Sequence, residues 1–250
     1  MKFSLIEFLD ERSKQVRYFI VNGKIYVVKK YASETGLIKW FLITTSNLAI
    51  GKYPFEQDPS ERLEREVNFM KHPESCFDKP QILLVDYSSN TLIRGFIGGD
   101  VYSYSAPNTI HYKVARELGK CHERGWALGD AKISNFVYTS DEHVYIVDAE
   151  QATREHSIEH AAWDLLVYVS TLTIDGYWRA LYNRDVYERV LDSVLGGYLA
   201  GNSNGKKVLK KLLGFDFKTL TYMFVPFPFN YLFTKKVEKY VERAVFISSD

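Results

Sequence analysis

The run Gly129-Asp130-Ala131-Lys132-Ile133-Ser134-Asn135, followed by two short apolar stretches that close on Asp148, constrains this 250-residue chain more than any other part of it. It places a carboxylate, an amide five positions on, and a second carboxylate at the end of the β-rich run Val144-Tyr145-Ile146-Val147. A hairpin turning at Ser140-Asp141-Glu142 delivers Asp148 back beside the loop that carries Asp130 and Asn135. Such a set suits phosphoryl transfer, whose transition state is loose and highly charged, so that catalysis is chiefly positioning and charge neutralisation. One carboxylate orients the attacking hydroxyl, while the other and an amide oxygen hold Mg²⁺, a hard ion that takes oxygen ligands. On this reading Asp130 is the base, Asn135 and Asp148 are the metal ligands, and Lys132 neutralises the moving phosphate. A plainer reading is a polar loop, because Asp and Asn favour turns in any protein. The order of the remaining parts along the chain decides between the two.

Leu128-Gly129-Asp130 and Asp148-Ala149-Glu150 stand where protein kinases carry His-Arg-Asp and Asp-Phe-Gly. In its Gly-Asp form the stretch resembles the atypical protein-kinase-like family of RIO kinases, the KEOPS-complex kinase and bacterial lipopolysaccharide kinases; aminoglycoside phosphotransferases share that form. The likeness runs over about residues 16–170. It implies an α+β, two-lobed fold: an antiparallel-sheet N-lobe over 1–97, a hinge at 98–100 and a mainly helical C-lobe over 101–250. It also implies ATP and Mg²⁺ as cofactors.

Upstream, Val16 to Val21 and Lys24 to Lys30 read as strands around Asn22-Gly23, a strong hairpin signal. Tyr26-Val27-Val28-Lys29 resembles the kinase Val-Ala-Ile-Lys. The resemblance gives Lys29 the α/β-phosphates, sets Val27 against the adenine, and assigns Val137, Phe96 and Ile97 to the same nucleotide pocket. A lysine ending a strand is otherwise a solvated edge charge; Lys30 is expected on the opposite side. Asp58-Pro59-Ser60-Glu61 starts a helix. In it Arg65-Glu66 looks like the family's Arg-Glu, which makes Glu66 the ion-pair partner of Lys29, with Glu61 and Glu64 as competitors. Asp164, in Ala-Ala-Trp-Asp-Leu, matches the acid that braces the catalytic loop in this family and is expected to accept backbone amides there. Phe8 to Gln15, where a Gly-rich phosphate cover belongs, contains no glycine. The long insertion over 31–60 favours the KEOPS and lipopolysaccharide branch, and a helix is expected over 36–43.

Only about ten residues separate Asp148 from the next helix, which leaves no room for a long peptide-docking activation segment. A net charge of +1 gives no overall attraction to nucleic acid or membrane. The lysines of Lys206 to Leu213 share one face, a solvated surface or a local patch for RNA or an acidic partner. Tyr222 to Phe233, broken by Pro226 and Pro228, reads as packed irregular chain. His156-Ser157-Ile158-Glu159-His160 fits the H-x-x-E-H zinc-peptidase pattern, a short motif that chance also produces. Cys76 and Cys121 lie far apart and suggest neither zinc nor a disulfide, which points to a reducing, cytoplasmic setting. Met1 to Glu7 does not read as a signal peptide, and no membrane span is expected.

The resulting expectation is an ATP/Mg-dependent kinase, in first place an atypical serine/threonine kinase that can also autophosphorylate or act as an ATPase. A small-molecule or glycolipid kinase and a pseudokinase interaction module are the alternatives. The acceptor is a protein or small hydroxyl compound, a protein-complex partner is expected, and nucleic acid enters only indirectly or through the basic helix.

Overall fold

The computed structural model describes residues 16–31, 52–74, 76–154 and 157–242. The sequence-predicted phosphate-cover segment and the helix over 36–43 lie outside these residues. Strands β1 (Val16–Val21) and β2 (Lys24–Lys30) form the expected hairpin. Asn22 and Gly23 turn it with positive φ, as a two-residue turn matched to strand twist requires. Helix α1 (Pro59–Lys71) is capped by Asp58, whose carboxylate accepts the amides of Ser60 at 2.8 Å and Glu61 at 3.2 Å. Strands β3 (Ile82–Asp86) and β4 (Thr91–Gly95) complete a four-stranded antiparallel sheet in the order β1-β2-β4-β3. Leu63 and Val67 of α1 bury against Leu92 and Tyr31 beneath this sheet.

The chain then crosses through Gly98 and Gly99 to β5 (Asp100–Val101), which pairs with β6 (Phe136–Tyr138), itself paired with β7 (Val144–Ile146). A Cβ at Gly99 would lie 2.4 Å from the Tyr138 carbonyl oxygen, so only glycine lets the crossover pass this closely. Helix α2 (Asn108–Glu123) precedes the loop that carries Asp130, and a 3₁₀ turn over Ile133–Asn135 follows it. Helices α3 (Ile158–Asp175), α4 (Tyr177–Tyr182), α5 (Arg184–Gly201), α6 (Gly205–Leu212), α7 (Phe215–Phe224) and α8 (Phe229–Glu242) complete the larger part. Its core joins Val114 and Leu118 of α2, Leu165, Leu166 and Val169 of α3, and Val190, Val194 and Leu195 of α5. Gly119, Gly197 and Gly201 let α2 and α5 approach until a Cβ at any of them would strike backbone of the other helix. The expected α+β plan of a small antiparallel sheet joined to a mainly helical body is the one observed.

Two expectations need correction. Tyr222 to Phe233 is largely helical, with α7 and α8 interrupted only over 225–228, where Pro226 and Pro228 cannot continue a helix. Cys76, in the loop after α1, and Cys121 on α2 are joined as a disulfide with Cα atoms 5.0 Å apart, within the range such bonds need. Their separation of 45 residues carries no pairing signal, because only the packing of that loop on α2 brings them together. This removes the ground on which a reducing compartment was expected. Among the described residues no helix is long and apolar enough to cross a membrane.

Candidate active site

Strand alternation puts Lys29 on the inner face of the sheet, 1% exposed, while Lys30 faces solvent. A buried ammonium demands partners, and Lys29 Nζ has three: Glu66 Oε2 at 2.7 Å, Asp148 Oδ1 at 2.8 Å and Glu150 Oε2 at 2.9 Å. The helical face of α1 that buries Leu63 and Val67 also carries Glu66 inward, fully buried. Glu61, one of the competing acids, is instead exposed in the first turn. Glu64 is exposed as well. The Tyr31 hydroxyl donates to the same Glu66 oxygen that receives Lys29, which fixes the carboxylate's orientation.

These groups set one another's charge. Burial alone would lower the Lys29 pKa, but Asp148 and Glu66 beside it raise it well above the ordinary lysine value. Burial tends to raise Asp148, yet Lys29 and then Lys132 hold it down at about 2. Glu66 is pushed above the usual carboxylate range by burial, with Lys29 opposing. Of Asp148 and Glu66, Asp148 is therefore the one held as an anion.

The loop carrying Asp130 is fixed from below. Asp164 accepts the backbone amides of Leu128 at 2.6 Å and Gly129 at 2.7 Å, and His122 Nε2 lies 3.1 Å from the same carboxylate. The neighbouring Trp163 donates its indole N–H to the Gly129 carbonyl at 2.8 Å. Gly129 has φ +73°, and a Cβ there would collide with the ring of Tyr53, so the Gly of the Gly-Asp pair is dictated by both conformation and space. Asn135 Nδ2 donates to the Asp130 carbonyl at 2.8 Å, which leaves its amide oxygen as the atom available to a cation. Lys132 Nζ sits 2.5 Å from Asp130 Oδ2. Burial raises the Asp130 pKa, and Lys132 pulls it back down.

Several participants were not singled out in the sequence. Glu150 lies between Lys29 and Arg62, whose Nη2 is 2.5 Å from Glu150 Oε1. Carboxylate oxygens of Glu66, Asp148 and Glu150 lie within 4.8 Å of one another, and Glu66 Oε1 is buried without a hydrogen-bond partner. Asp148 and Glu150 are hard oxygen donors of the kind Mg²⁺ takes, while Glu66 is committed to Lys29. Tyr53, from the segment preceding α1, donates to the carbonyls of Ala127 and Gln151. Gln151 in turn exchanges two hydrogen bonds with the Glu56 backbone, at 2.8 and 2.9 Å. The short chain after Asp148 is thereby fastened to the inserted segment. The spacing of Arg62 and Glu66, four residues apart on a helix, was the one available signal that both face the cleft.

Of the residues expected beside a nucleotide, Val27 is 2% and Val137 7% exposed, and Val137 packs against the crossover at Gly99. Phe96 is largely exposed with its ring edge-on to Tyr18, and Ile97 is half-buried. Glu159 of the zinc-type motif is held by Lys52 at 2.9 Å and Lys211 at 3.2 Å, and the His160 ring packs on Tyr53; His156 lies outside the described residues. Glu159 is thus occupied by two ammonium groups.

No family model matches the sequence. Among curated proteins the chain is similar to the KEOPS complex subunit Bud32 of Pyrococcus abyssi, 26% identical over 163 residues that cover 61% of this chain and 70% of that one. Similar solved structures include choline kinase LicA from Streptococcus pneumoniae (TM-score 0.45, 11% identity, 79% of this chain and 89% of that one). Monomeric WbdD is another, with TM-score 0.43, 16% identity, and 72% of this chain covered. The chain spans only 42% of that WbdD chain. A lysine, its helix-borne glutamate and the strand-end aspartate thus meet between a small sheet and a helical body, in a chain whose sequence is similar to that of Bud32.

Proposed function

We propose that the chain transfers the terminal phosphoryl group of a Mg²⁺-bound nucleoside triphosphate, ATP by resemblance, to a hydroxyl group, as an atypical serine/threonine kinase. The observation that carries this reading is the convergence of Glu66, Asp148 and Glu150 on Lys29 within 2.7–2.9 Å. Asp148, Asn135 and Glu150 supply oxygen donors for the metal, and Lys29, steadied by Glu66, supplies the cation for the phosphates. When bound, Mg²⁺ would neutralise charge on the phosphate oxygens. Asp130 orients the acceptor hydroxyl and receives its proton, while Lys132 neutralises charge on the group in transit. The name of the Pyrococcus abyssi relative, a complex subunit, supports a protein partner as well.

A second reading, a small alcohol as acceptor, is favoured by the chain after Asp148. Tyr53 and Gln151 fasten that stretch to the segment over 52–57, so among the described residues it is pinned in place and not laid out as a track for an extended peptide. Incubation with γ-labelled nucleotide and Mg²⁺ separates the readings: label on the chain itself or on a generic protein substrate supports the first, label on sugars or amino alcohols the second. No transfer together with no nucleotide-induced thermal shift contradicts both and leaves an interaction module.

The Asp130–Lys132 pair also predicts a pH response. Turnover rises as Asp130 loses its proton, and burial places that rise above the ordinary carboxylate range. Because Lys132 lowers the Asp130 pKa, Lys132→Met moves the acidic limb of the kcat/KM profile to higher pH. A limb that stays in place would show that Lys132 does not act on Asp130.

A further inference from the structure

Lys29 is assigned to the phosphates, yet its ammonium is fully engaged by the protein itself. An ammonium has three N–H donors. Three carboxylates surround this one, Glu66 at 2.7 Å, Asp148 at 2.8 Å and Glu150 at 2.9 Å, and the lysine side chain is 1% exposed. A phosphate oxygen reaches Lys29 only when one of the three withdraws. Glu66 is fully buried, and the oxygen that receives Lys29 also accepts the Tyr31 hydroxyl, so it stays. Asp148 is held from two sides, its Oδ1 accepting both Lys29 and the Glu150 backbone amide at 3.3 Å. Glu150 is held differently. Its Oε2 stands at ion-pair distance from Lys29 Nζ but makes no hydrogen bond, and that oxygen is buried without a hydrogen-bond partner.

Arg62 offers that oxygen another place. Its Nη2 already donates to Glu150 Oε1 at 2.5 Å, and its Nε, on the same edge of the guanidinium, is buried with no acceptor. Leaving buried polar atoms unmet is costly. These two are complementary, an N–H and a carboxylate oxygen on groups already joined through their other atoms. A turn of the Glu150 carboxylate about its Oε1 contact brings Oε2 to Nε and makes the two parallel bonds of a guanidinium–carboxylate fork. The same turn takes Oε2 off Lys29. Both atoms lie inside the protein, so the exchange needs no ligand to enter. A carboxylate has about four lone-pair sites, so one on each oxygen remains for a cation.

We propose that Glu150 is a latch on Lys29 and Arg62 its catch: Glu150 covers the ammonium until phosphates arrive, and they displace it into the Arg62 fork. This rests on the phosphotransferase reading and adds to it the means by which the site admits its nucleotide. Arg62 acts through Glu150 and touches no substrate, so it is a positioning residue. A hydrogen bond to a charged group is worth roughly tenfold to a hundredfold in an equilibrium, which sets the scale of the effects.

The test is equilibrium binding of ATP, with Mg²⁺ and with EDTA in its place, to the full chain and to its Glu150→Gln, Arg62→Met and double variants. Without metal, Glu150 acts on the nucleotide only by competing for Lys29, so Glu150→Gln binds about tenfold tighter than wild type. Arg62→Met strands the displaced carboxylate and binds about tenfold more weakly under both conditions. In the double variant that loss disappears, and metal-free affinity returns to the Glu150→Gln value. Metal-free binding by Glu150→Gln that is absent, or no tighter than wild type, overturns the latch while Mg²⁺-dependent binding by wild type leaves the phosphotransferase reading intact. An Arg62→Met loss that persists in the double variant also overturns it. Absence of binding by all four proteins under both conditions overturns the latch and the reading together. If Arg62→Met does not fold, the Glu150→Gln comparison decides alone, because a merely structural carboxylate would not tighten metal-free binding when neutralised.

Discussion

Asp130→Asn lowers kcat for phosphoryl transfer by roughly 10²–10⁴-fold, the usual worth of a positioned acid–base group, while nucleotide binding changes little. The reasoning is that Asp130 is held on a loop whose backbone is fixed by Asp164 and Trp163, independently of its own side chain. Its carboxylate touches Lys132, and the backbone carbonyl of the same residue, which the substitution leaves untouched, holds Asn135. The loss therefore falls on kcat and not on the melting temperature. Single-turnover measurement with labelled nucleotide checks it, and equal single-turnover rates for variant and parent would remove Asp130 from the chemistry.

Asp164→Ala has the largest expected effect on stability. The wild-type carboxylate is fully buried and receives the amides of Leu128 and Gly129 together with His122. Its removal strands two buried N–H groups, each costing about 1–3 kcal/mol, and leaves a cavity beside them. Loss of about 3 kcal/mol or more is expected in denaturant unfolding. Hydrogen exchange at the Leu128 and Gly129 amides should accelerate in the variant before exchange in the α2–α5 core does. Unchanged exchange at those two amides would show that the loop is held by something other than Asp164. His122 belongs to the same device, since its other ring nitrogen lies 2.7 Å from the Tyr198 hydroxyl and links the loop brace to α5.

What the sequence disclosed follows a physical rule. Local features were readable because their cause is local: Asn22-Gly23 turns a hairpin because both residues tolerate positive φ, and Asp58-Pro59 opens α1 because it satisfies the first amides. The set Lys29, Glu66, Asp130, Asn135, Asp148 and Asp164 was picked out through its order along the chain; in the structure Glu66 and Asp148 meet Lys29, Asn135 meets the Asp130 carbonyl, and Asp164 holds the amides of the loop before Asp130. Arg62–Glu150 was not readable, because nothing in two residues 88 positions apart announces an ion pair. Tyr53 and Gln151 escaped for a similar reason: they act on backbone carbonyls and amides, which every residue possesses, so their own identities carry no signal. The Cys76–Cys121 pairing and the continuation of helix through most of 222–233 depend on tertiary packing in the same way.

The account turns on Asp148 being an anion kept for a metal-bound nucleotide, with its pKa depressed chiefly by Lys29 against the effect of burial. The most direct measurement is Mn²⁺ binding, followed by the electron paramagnetic resonance signal of free Mn²⁺, with a non-hydrolysable ATP analogue. Wild type should take up Mn²⁺ in a nucleotide-dependent manner, and a folded Asp148→Asn should bind it more than about tenfold more weakly, since loss of even outer-sphere partners costs that much. Equal nucleotide-dependent uptake by the two proteins would contradict the assignment of this cleft as the site of phosphoryl transfer.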